Sequence, residues 1–151
     1  MTAGDITSRY EALVREYYAA CNAGDAERIA VCFVRDGVHY FPPGAHGGPF
    51  IGATTIGRRW SESVECLGSR WVIDEIVVDP ARHLAILEWT HFKTRAATVL
   101  RGTEWITFNA ARLRIQEIRA YYAAPQMAGL TRLELEGFDY TSRGYAMEPE
   151  L

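Results

Sequence analysis

The spacing of apolar residues changes near residue 70, and this change limits the fold more than any other feature of the sequence. Before Arg70, apolar residues recur every three or four positions, as in amphipathic helices. After it, long stretches are rich in β-branched and aromatic residues, as in strands. Helices followed by strands predict an α+β fold, in which the helices pack on one face of a curved, mostly antiparallel sheet.

Three helices are predicted in the first half of the chain, and they span Thr7 or Ser8 to Cys21, Ala26 to Phe33, and Thr54 or Thr55 to about Cys66. Asp25 can cap the second helix. A turn at Arg35–Gly37 leads into a short strand, Val38–Phe41, and a glycine-rich loop then runs from Gly44 to Gly52.

Four long strands are predicted in the second half, at Trp71–Val78, His83–Lys93, Thr98–Asn109 and Arg112–Tyr122. The remaining segment, 125–151, is irregular but contains aromatic residues. We expect this tail to cover the mouth of a cavity or to contact a partner. The chain of 151 residues has the size of one domain, 1–151.

Composition argues against several classes of protein. Hydrophobic residues make up 48% and charged residues 23%, which is typical of a folded domain. A net charge of −3 without a basic block argues against a nucleic-acid partner. The start of the chain resembles no signal peptide, and no run approaches the roughly 18 apolar residues of a membrane span. We therefore expect a cytoplasmic protein that does not contact a membrane.

Metal and cofactor motifs are missing from the sequence. The three cysteines show no CxxC spacing, and Cys21 and Cys32 are expected to be buried thiols. The histidines show no metal-ligand spacing. There is also no GxGxxG, GxxxxGK[ST] or GxSxG motif. We predict neither a metal nor a cofactor.

Glu104 is the first candidate for chemistry. By strand alternation it shares a face with Ile106 and Phe108, so its side chain is predicted to point inward. A carboxyl group among apolar side chains holds its proton more tightly than an exposed one, and can then act as a hydrogen-bond donor or as a general acid or base. The alternative is a structural glutamate paired with a nearby arginine.

His39 and His91 are candidates for a base. His39 shares a strand face with Phe41, and His91 alternates with apolar residues in the same way. A structural histidine that holds a loop carbonyl is the alternative for each.

Three segments resemble the NTF2-like superfamily, in particular its SnoaL-like polyketide cyclases and ketosteroid isomerase-like proteins. The segments are Tyr17–Asp25, Phe33–Val38 and Ile115–Tyr122. The resemblance covers roughly residues 8 to 124 and implies a cone-shaped α+β fold with an internal cavity. This scaffold is associated with isomerases, cyclases, dehydratases, epoxide hydrolases and binding proteins without catalysis.

The resemblance also implies roles for single residues. Tyr17 matches the tyrosine of the ketosteroid isomerase oxyanion hole, and Glu104 matches the protonated aspartate that donates the second hydrogen bond. The isomerase's catalytic aspartate is replaced by Phe41, and the acid/base aspartate of SnoaL-like cyclases by Ala120. A replacement base would therefore be His39 or His91.

Together these observations predict a cofactor-independent isomerase, cyclase or dehydratase that acts on a small apolar, oxygenated ligand. Tyr17 and Glu104 would stabilise a developing enolate. The residues predicted to contact the ligand are Phe41, Trp60, Ile106, Ile118 and Tyr122. The alternatives are a binding or accessory module without chemistry, and a hydrolase in which Glu104 activates water. An inward basic partner beside Glu104 would favour the hydrolase.

The resemblance further implies a homodimer through the outer face of the sheet. Trp105 and Arg119 are candidates for that face, because both alternate with residues predicted to point toward the cavity.

Overall fold

The computed structural model describes residues 1–123 and 135–144. Its three helices are α1 (Ala3–Ala23), α2 (Ala26–Val31) and α3 (Ala53–Leu67). Its strands are β1 (Phe33–Tyr40), β2 (Phe50–Ile51), β3 (Ser69–Asp79), β4 (Leu84–Lys93), β5 (Thr98–Asn109) and β6 (Arg114–Tyr122). No helix in the described residues is long and apolar enough to cross a membrane.

The strands form one curved sheet in the order β2-β1-β6-β5-β4-β3. β1 and β6 run parallel, and every other neighbouring pair is antiparallel. The helices pack on one face of this sheet, which confirms the α+β fold with helices on a mostly antiparallel sheet.

Helix α1 begins earlier than the prediction of a cap at Thr7 or Ser8. Its cap is Thr2, whose hydroxyl accepts a hydrogen bond from the Asp5 backbone while the Asp5 carboxylate accepts one from the Thr2 backbone. This reciprocal pair satisfies backbone donors that the first helical turn cannot satisfy itself. Asp25 caps α2 as predicted, by accepting a hydrogen bond from the Arg28 backbone.

The predictions around β1 were wrong at two points. Phe33 begins the strand and does not end a helix, and Arg35–Gly37 lies within the strand and not in a turn. The pairing of β1 with β6 shifts between Phe33 and Val38, which marks an irregularity of the bulge type. A bulge places polar and glycine residues inside a strand, so the local sequence resembles a turn. The strand β2 was not predicted.

Helix α1 packs across the inner face through aromatic contacts. Tyr10 stacks on Phe108 of β5 with ring centroids 3.9 Å apart. Helices α2 and α3 touch where Gly57 meets the Ala26 backbone, and a Cβ at Gly57 would overlap the Ala26 carbonyl oxygen. Cys21 and Cys32 are buried free thiols, as expected.

The described part of the tail lies on the outer face of the sheet. Phe138 packs edge-on against Tyr40 of β1, with ring centroids 5.2 Å apart. Arg143 makes two hydrogen bonds to the Glu117 carboxylate of β6, at 2.9 and 2.6 Å. None of residues 135–144 lines the cavity. The rest of the 125–151 segment predicted as a cover, apart from these ten positions, lies outside the described residues.

Candidate active site

A cavity of about 160 Å³ lies between the helices and the inner face of the sheet. Aromatic and apolar side chains form most of its wall. On β4 the inward residues run in order from its buried end to its rim: Leu87, Trp89, His91 and Lys93. Glu104 on β5 pairs with Leu87, so the carboxylate lies at the buried end. Among the described residues that line the cavity, Glu104 is the single acid.

The carboxylate of Glu104 is held between a phenol and an imidazole. Its side chain is buried, with 6% of the residue exposed. The Tyr18 hydroxyl donates a hydrogen bond to Oε2 over 3.0 Å. His39 Nε2 lies 3.4 Å from Oε1. Each carboxylate oxygen retains further acceptor capacity, because an oxygen of this kind accepts two hydrogen bonds.

His39 lies behind Glu104 and is not part of the cavity wall. Its ring is 1% exposed and stacks on Phe41 with centroids 4.2 Å apart. Neither ring nitrogen has a hydrogen-bond partner within the described part of the chain. Buried polar atoms without partners are rare in native proteins. His39 therefore faces Glu104 and does not reach the cavity in this arrangement.

Tyr17 lines the cavity, but it is Tyr18 that bonds Glu104. The Tyr17 hydroxyl interacts with the Cys21 thiol one helical turn further along. Burial raises the pKa of both phenols well above the ordinary value, and the neighbouring Glu104 charge acts in the same direction. Both tyrosines therefore stay protonated and can donate hydrogen bonds at neutral pH.

Tyr122 lines the wall near Trp89, with ring centroids 5.6 Å apart. The two rings meet over Gly102, which pairs with both residues across neighbouring strands. A Cβ at Gly102 would lie 2.6 Å from Cζ2 of Trp89, so this glycine makes room for the indole. Burial, and then the Glu104 charge, raises the pKa of Tyr122.

His91 lies on the wall closer to the rim and is tied to its neighbours. Its Nε2 is 2.8 Å from the Ser69 hydroxyl, which is itself 2.8 Å from the Ser63 hydroxyl of α3. The ring stacks on Trp71 with centroids 4.3 Å apart. Burial, and to a smaller extent the Lys93 charge, lowers the pKa of His91 to about 4. It is therefore neutral near pH 7 and a weak base.

Phe41 and Trp60, two of the residues predicted to contact a ligand, line the cavity, and their ring centroids lie 5.7 Å apart. His46, from the glycine-rich loop, packs against both rings. Burial, followed by the charges of His39, Arg59 and Lys93, lowers the pKa of His46 to about 4.

Ile106 and Ile118, which were also predicted to contact a ligand, do not line the cavity. They pair with each other across β5 and β6, and both are fully buried. Each lies two residues beyond a residue of the wall, Glu104 or Ala120, on the same inward face. The pair Glu104 and Ala120 forms the closed end of the cavity. The next inward pair, Ile106 and Ile118, therefore belongs to the hydrophobic core.

Three functional candidates were missed from the sequence. Periodicity places Tyr18 on the apolar face of α1 and Trp89 on an apolar face of β4, but neither pattern indicates a place in a functional site. Lys93 was not considered, although alternation with His91 and Trp89 places it on the same inward face. That alternation was the available signal.

No group of three histidine, cysteine or carboxylate side chains within the described ranges, 1–123 and 135–144, is arranged to hold a metal ion. The donor set of the cavity instead suits organic ligands, with one carboxylate, several phenol donors and an apolar wall.

Comparison with known proteins agrees with this fold. The family model for the SnoaL-like domain matches residues 14–118. The chain therefore belongs to the SnoaL-like domain family, as the resemblance implied. No curated protein matches the sequence.

Solved structures with the same fold include three informative cases. A protein of unknown function with a cystatin-like fold from Methylobium petroleophilum PM1 is 48% identical, with 95% of this chain and 94% of that chain covered and a TM-score of 0.90. An NTF2-like protein of unknown function from Mesorhizobium loti is 17% identical, with 78% and 93% covered and a TM-score of 0.65. SalBIII, an epoxide hydrolase/cyclase-like enzyme with a role in pyran ring formation in the polyether salinomycin, is 15% identical, with 77% and 92% covered and a TM-score of 0.63.

Proposed function

We propose that this protein is a cofactor-independent enzyme that moves a proton on a small, largely apolar ligand with a carbonyl or hydroxyl group. The reaction would be an isomerisation, cyclisation or dehydration. The observation that supports this proposal is the buried Glu104 carboxylate at the closed end of an aromatic cavity, with Tyr18 on one oxygen and His39 beside the other.

Glu104 is the group that reaches the ligand in this proposal. As a carboxylate it would take a proton from the carbon next to a ligand carbonyl, and as a carboxylic acid it would return the proton to another atom of the ligand.

Three tyrosines would support this transfer. Tyr18 holds the carboxylate in place, and Tyr17 and Tyr122 offer hydroxyl groups to the oxygen on which negative charge develops. His39 is a positioning residue, which holds or relays the proton behind Glu104.

His91 is the weaker of the two predicted bases. Its Nε2 is occupied by Ser69, and a pKa of about 4 makes its neutral ring a poor proton acceptor. We assign it to the cavity wall.

Deuterium incorporation into cyclic ketones tests the proposal. Wild-type protein in D₂O should accelerate exchange of the protons next to the carbonyl of at least one ketone, as followed by proton NMR. Glu104→Gln keeps the shape of the side chain but cannot take the proton, so it should abolish the acceleration. Glu88→Gln is the matched control, because Glu88 is exposed on the neighbouring strand.

Retention of the wild-type exchange rate by Glu104→Gln would overturn the proposal. If no ketone exchanges faster than in buffer although ketones quench the cavity tryptophans, the protein is a ligand-binding module without this chemistry.

A hydrolase is the second candidate, and His39 beside Glu104 is the basic partner that favours it. Glu104 would take a proton from water while the water oxygen attacks an epoxide carbon and the carbon–oxygen bond of the ring breaks. The same proton, returned from Glu104 to the released alkoxide oxygen, then gives a diol. SalBIII, of similar fold, is described as epoxide hydrolase/cyclase-like. Epoxide turnover in H₂¹⁸O should then yield a diol with one labelled oxygen, and Glu104→Gln should stop it.

The homodimer through the outer sheet face stays a proposal. Trp105 and Arg119 do lie on that face, and Arg119 stacks over the Trp105 ring at 5.4 Å. The tail segment covers part of it, because Phe138 also lies against Arg119 at 5.8 Å. Any partner subunit would therefore contact this segment as well as the strands.

A further inference from the structure

Lys93 is the only lysine in the chain, and it lies on the wall of the cavity. It is the last residue of β4, two residues beyond His91 on the inward face. None of the ion pairs among the described residues involves it. The partly buried Lys93 therefore stands at the rim of an apolar cavity, and no carboxylate of residues 1–123 or 135–144 forms an ion pair with it.

The Lys93 charge acts on the rim of the cavity. It contributes, after burial, to the lowered pKa of both His91 and His46. With both imidazoles neutral near pH 7, the rim carries a positive charge from Lys93. The single acid of the described wall, Glu104, lies at the opposite, buried end.

Two tryptophans of the cavity wall present apolar surface to a ligand. The indole N–H groups of Trp60 and Trp89 are buried and have no hydrogen-bond acceptor within the described residues. Both rings line the cavity and are no more than 7% exposed. Because a water molecule reaches neither N–H group, it is the carbon atoms of the two rings that face the cavity. The tryptophans therefore form an apolar stretch of wall, against which the hydrocarbon or aromatic body of a ligand would pack.

We infer that the ligand is a small, elongated carboxylic acid. Its carboxylate would bind Lys93 at the rim, its apolar body would lie along the tryptophan rings, and its second oxygen would reach the buried end. Leu87, which faces Glu104, and Lys93 are six residues apart on β4, about 20 Å of extended strand. The side chains of Glu104 and Lys93 both reach into the cavity, so the distance between their charged groups is shorter than this span. Acetate is nevertheless too short to bridge it. The inference rests on the proposed function for the role of the Glu104 end.

We call the bond between Lys93 and the ligand carboxylate the anchor. Matched acid and amide probes test it through quenching of tryptophan fluorescence. We choose 5-phenylpentanoate, 5-phenylpentanamide and acetate. Wild-type protein should bind the pentanoate at least about tenfold more tightly than the amide, because an ammonium–carboxylate bond is stronger than a neutral one. Lys93→Met should weaken the pentanoate about tenfold and leave the amide unchanged. Lys93→Arg should keep the preference for the acid.

Arg95→Met is the control for net charge, since Arg95 is exposed in the turn that follows β4. It should leave the preference for the acid unchanged. Equal binding of acid and amide by the wild type, or an equal loss of preference in Arg95→Met, would overturn the anchor. Binding of acetate as tight as that of the pentanoate would also overturn it, because a simple ion site needs no cavity.

Glu104→Gln separates this inference from the proposed reaction. The preference for the acid should persist in that variant, since the anchor lies at the other end of the cavity. A failed exchange of neutral ketones would thus leave the anchor standing, and a failed anchor would leave the ketone experiment unaffected.

The single lysine also gives a direct readout. Reductive methylation with ¹³C-formaldehyde keeps the charge and labels Lys93 and the terminal amine. The signal that is missing from methylated Lys93→Met belongs to Lys93. It should shift with saturating 5-phenylpentanoate and not with the amide, and an unmoved signal would overturn the inference.

Discussion

The Tyr18 hydroxyl donates a hydrogen bond to Oε2 of Glu104 over 3.0 Å, although 86 positions separate the two residues in sequence. This bond joins helix α1 to strand β5 at the closed end of the cavity. Tyr17, its neighbour, lines the same cavity but interacts with Cys21. Two adjacent buried phenols therefore have different tasks.

Tyr18→Phe should reduce kcat for ketone proton exchange by about a hundredfold, which is the typical cost of a misplaced catalytic group. Loss of the hydroxyl leaves the Glu104 carboxylate without its donor and free to rotate. Tyr10→Phe is the matched control on the same helix, because the Tyr10 hydroxyl bonds His83 and does not line the cavity, and it should cost less than about twofold. Equal losses in the two variants would contradict the assignment of Tyr18 as the residue that holds Glu104.

His39→Asn should lower kcat and leave KM within about twofold. His39 contacts Glu104 but is absent from the cavity wall, so its loss affects the proton and not the ligand. Phe41→Leu changes the wall itself and should raise KM instead. Steady-state exchange rates over a range of ketone concentrations separate the two effects. A rise in KM alone for His39→Asn would show that the ring contacts the ligand.

The lowered pKa of His91 makes the free energy of unfolding depend on pH. This pKa is about 4 in the folded protein, against an ordinary value of 6.5. Between these two values the unfolded chain binds a proton that the folded chain does not, so the free energy of unfolding falls as the pH drops from about 6.5 toward 4. His46 acts in the same direction.

His91→Gln should therefore flatten the dependence of stability on pH in this window. Urea unfolding at about pH 6.5 and about pH 4.5 measures it, and the wild type should lose more stability than the variant. Part of the dependence should remain, because His46 is still present. An identical loss in both proteins would mean that His91 does not take part.

Much of the fold followed from periodicity, and the errors arose where a backbone irregularity resembled another element. The strands β4 and β5 alternate regularly, and their predicted positions match the structure closely. Arg35–Gly37 has the composition of a turn but lies within β1, because the register with β6 shifts there. Only the partner strand reveals such a shift, so local sequence cannot show it.

For the candidate site, the sequence predicts on which face of a strand or helix a residue lies, but not which residue it contacts. Alternation placed Glu104 inward, and the structure places it in the cavity wall. Tyr17 and Tyr18 both lie on the buried side of α1, about 100° apart around the helix. Which of them reaches Glu104 depends on how the helix sits on the sheet. That position is set by packing over the whole core, not by the helix sequence.

The contact between α2 and α3 gives a prediction about stability. Gly57→Ala adds a methyl group that would overlap the carbonyl oxygen of Ala26, and the carbonyl carbon would lie 3.1 Å away. Backbone atoms cannot move aside as a flexible side chain can, so the helices must separate. We expect a loss of about 2 kcal/mol in the free energy of unfolding, although alanine is the better helix former.

Gly4→Ala in α1 is the control, because the nearest atom to its added methyl group is the Thr2 hydroxyl oxygen at 3.7 Å. Without a clash, the helix preference of alanine should leave the stability unchanged or raise it by up to about 1 kcal/mol. Urea midpoints of the two variants and the wild type give both numbers. If Gly57→Ala is as stable as Gly4→Ala, then α2 and α3 can separate without cost. The close contact would then not be needed to hold Trp60, one turn further along α3, in the cavity wall.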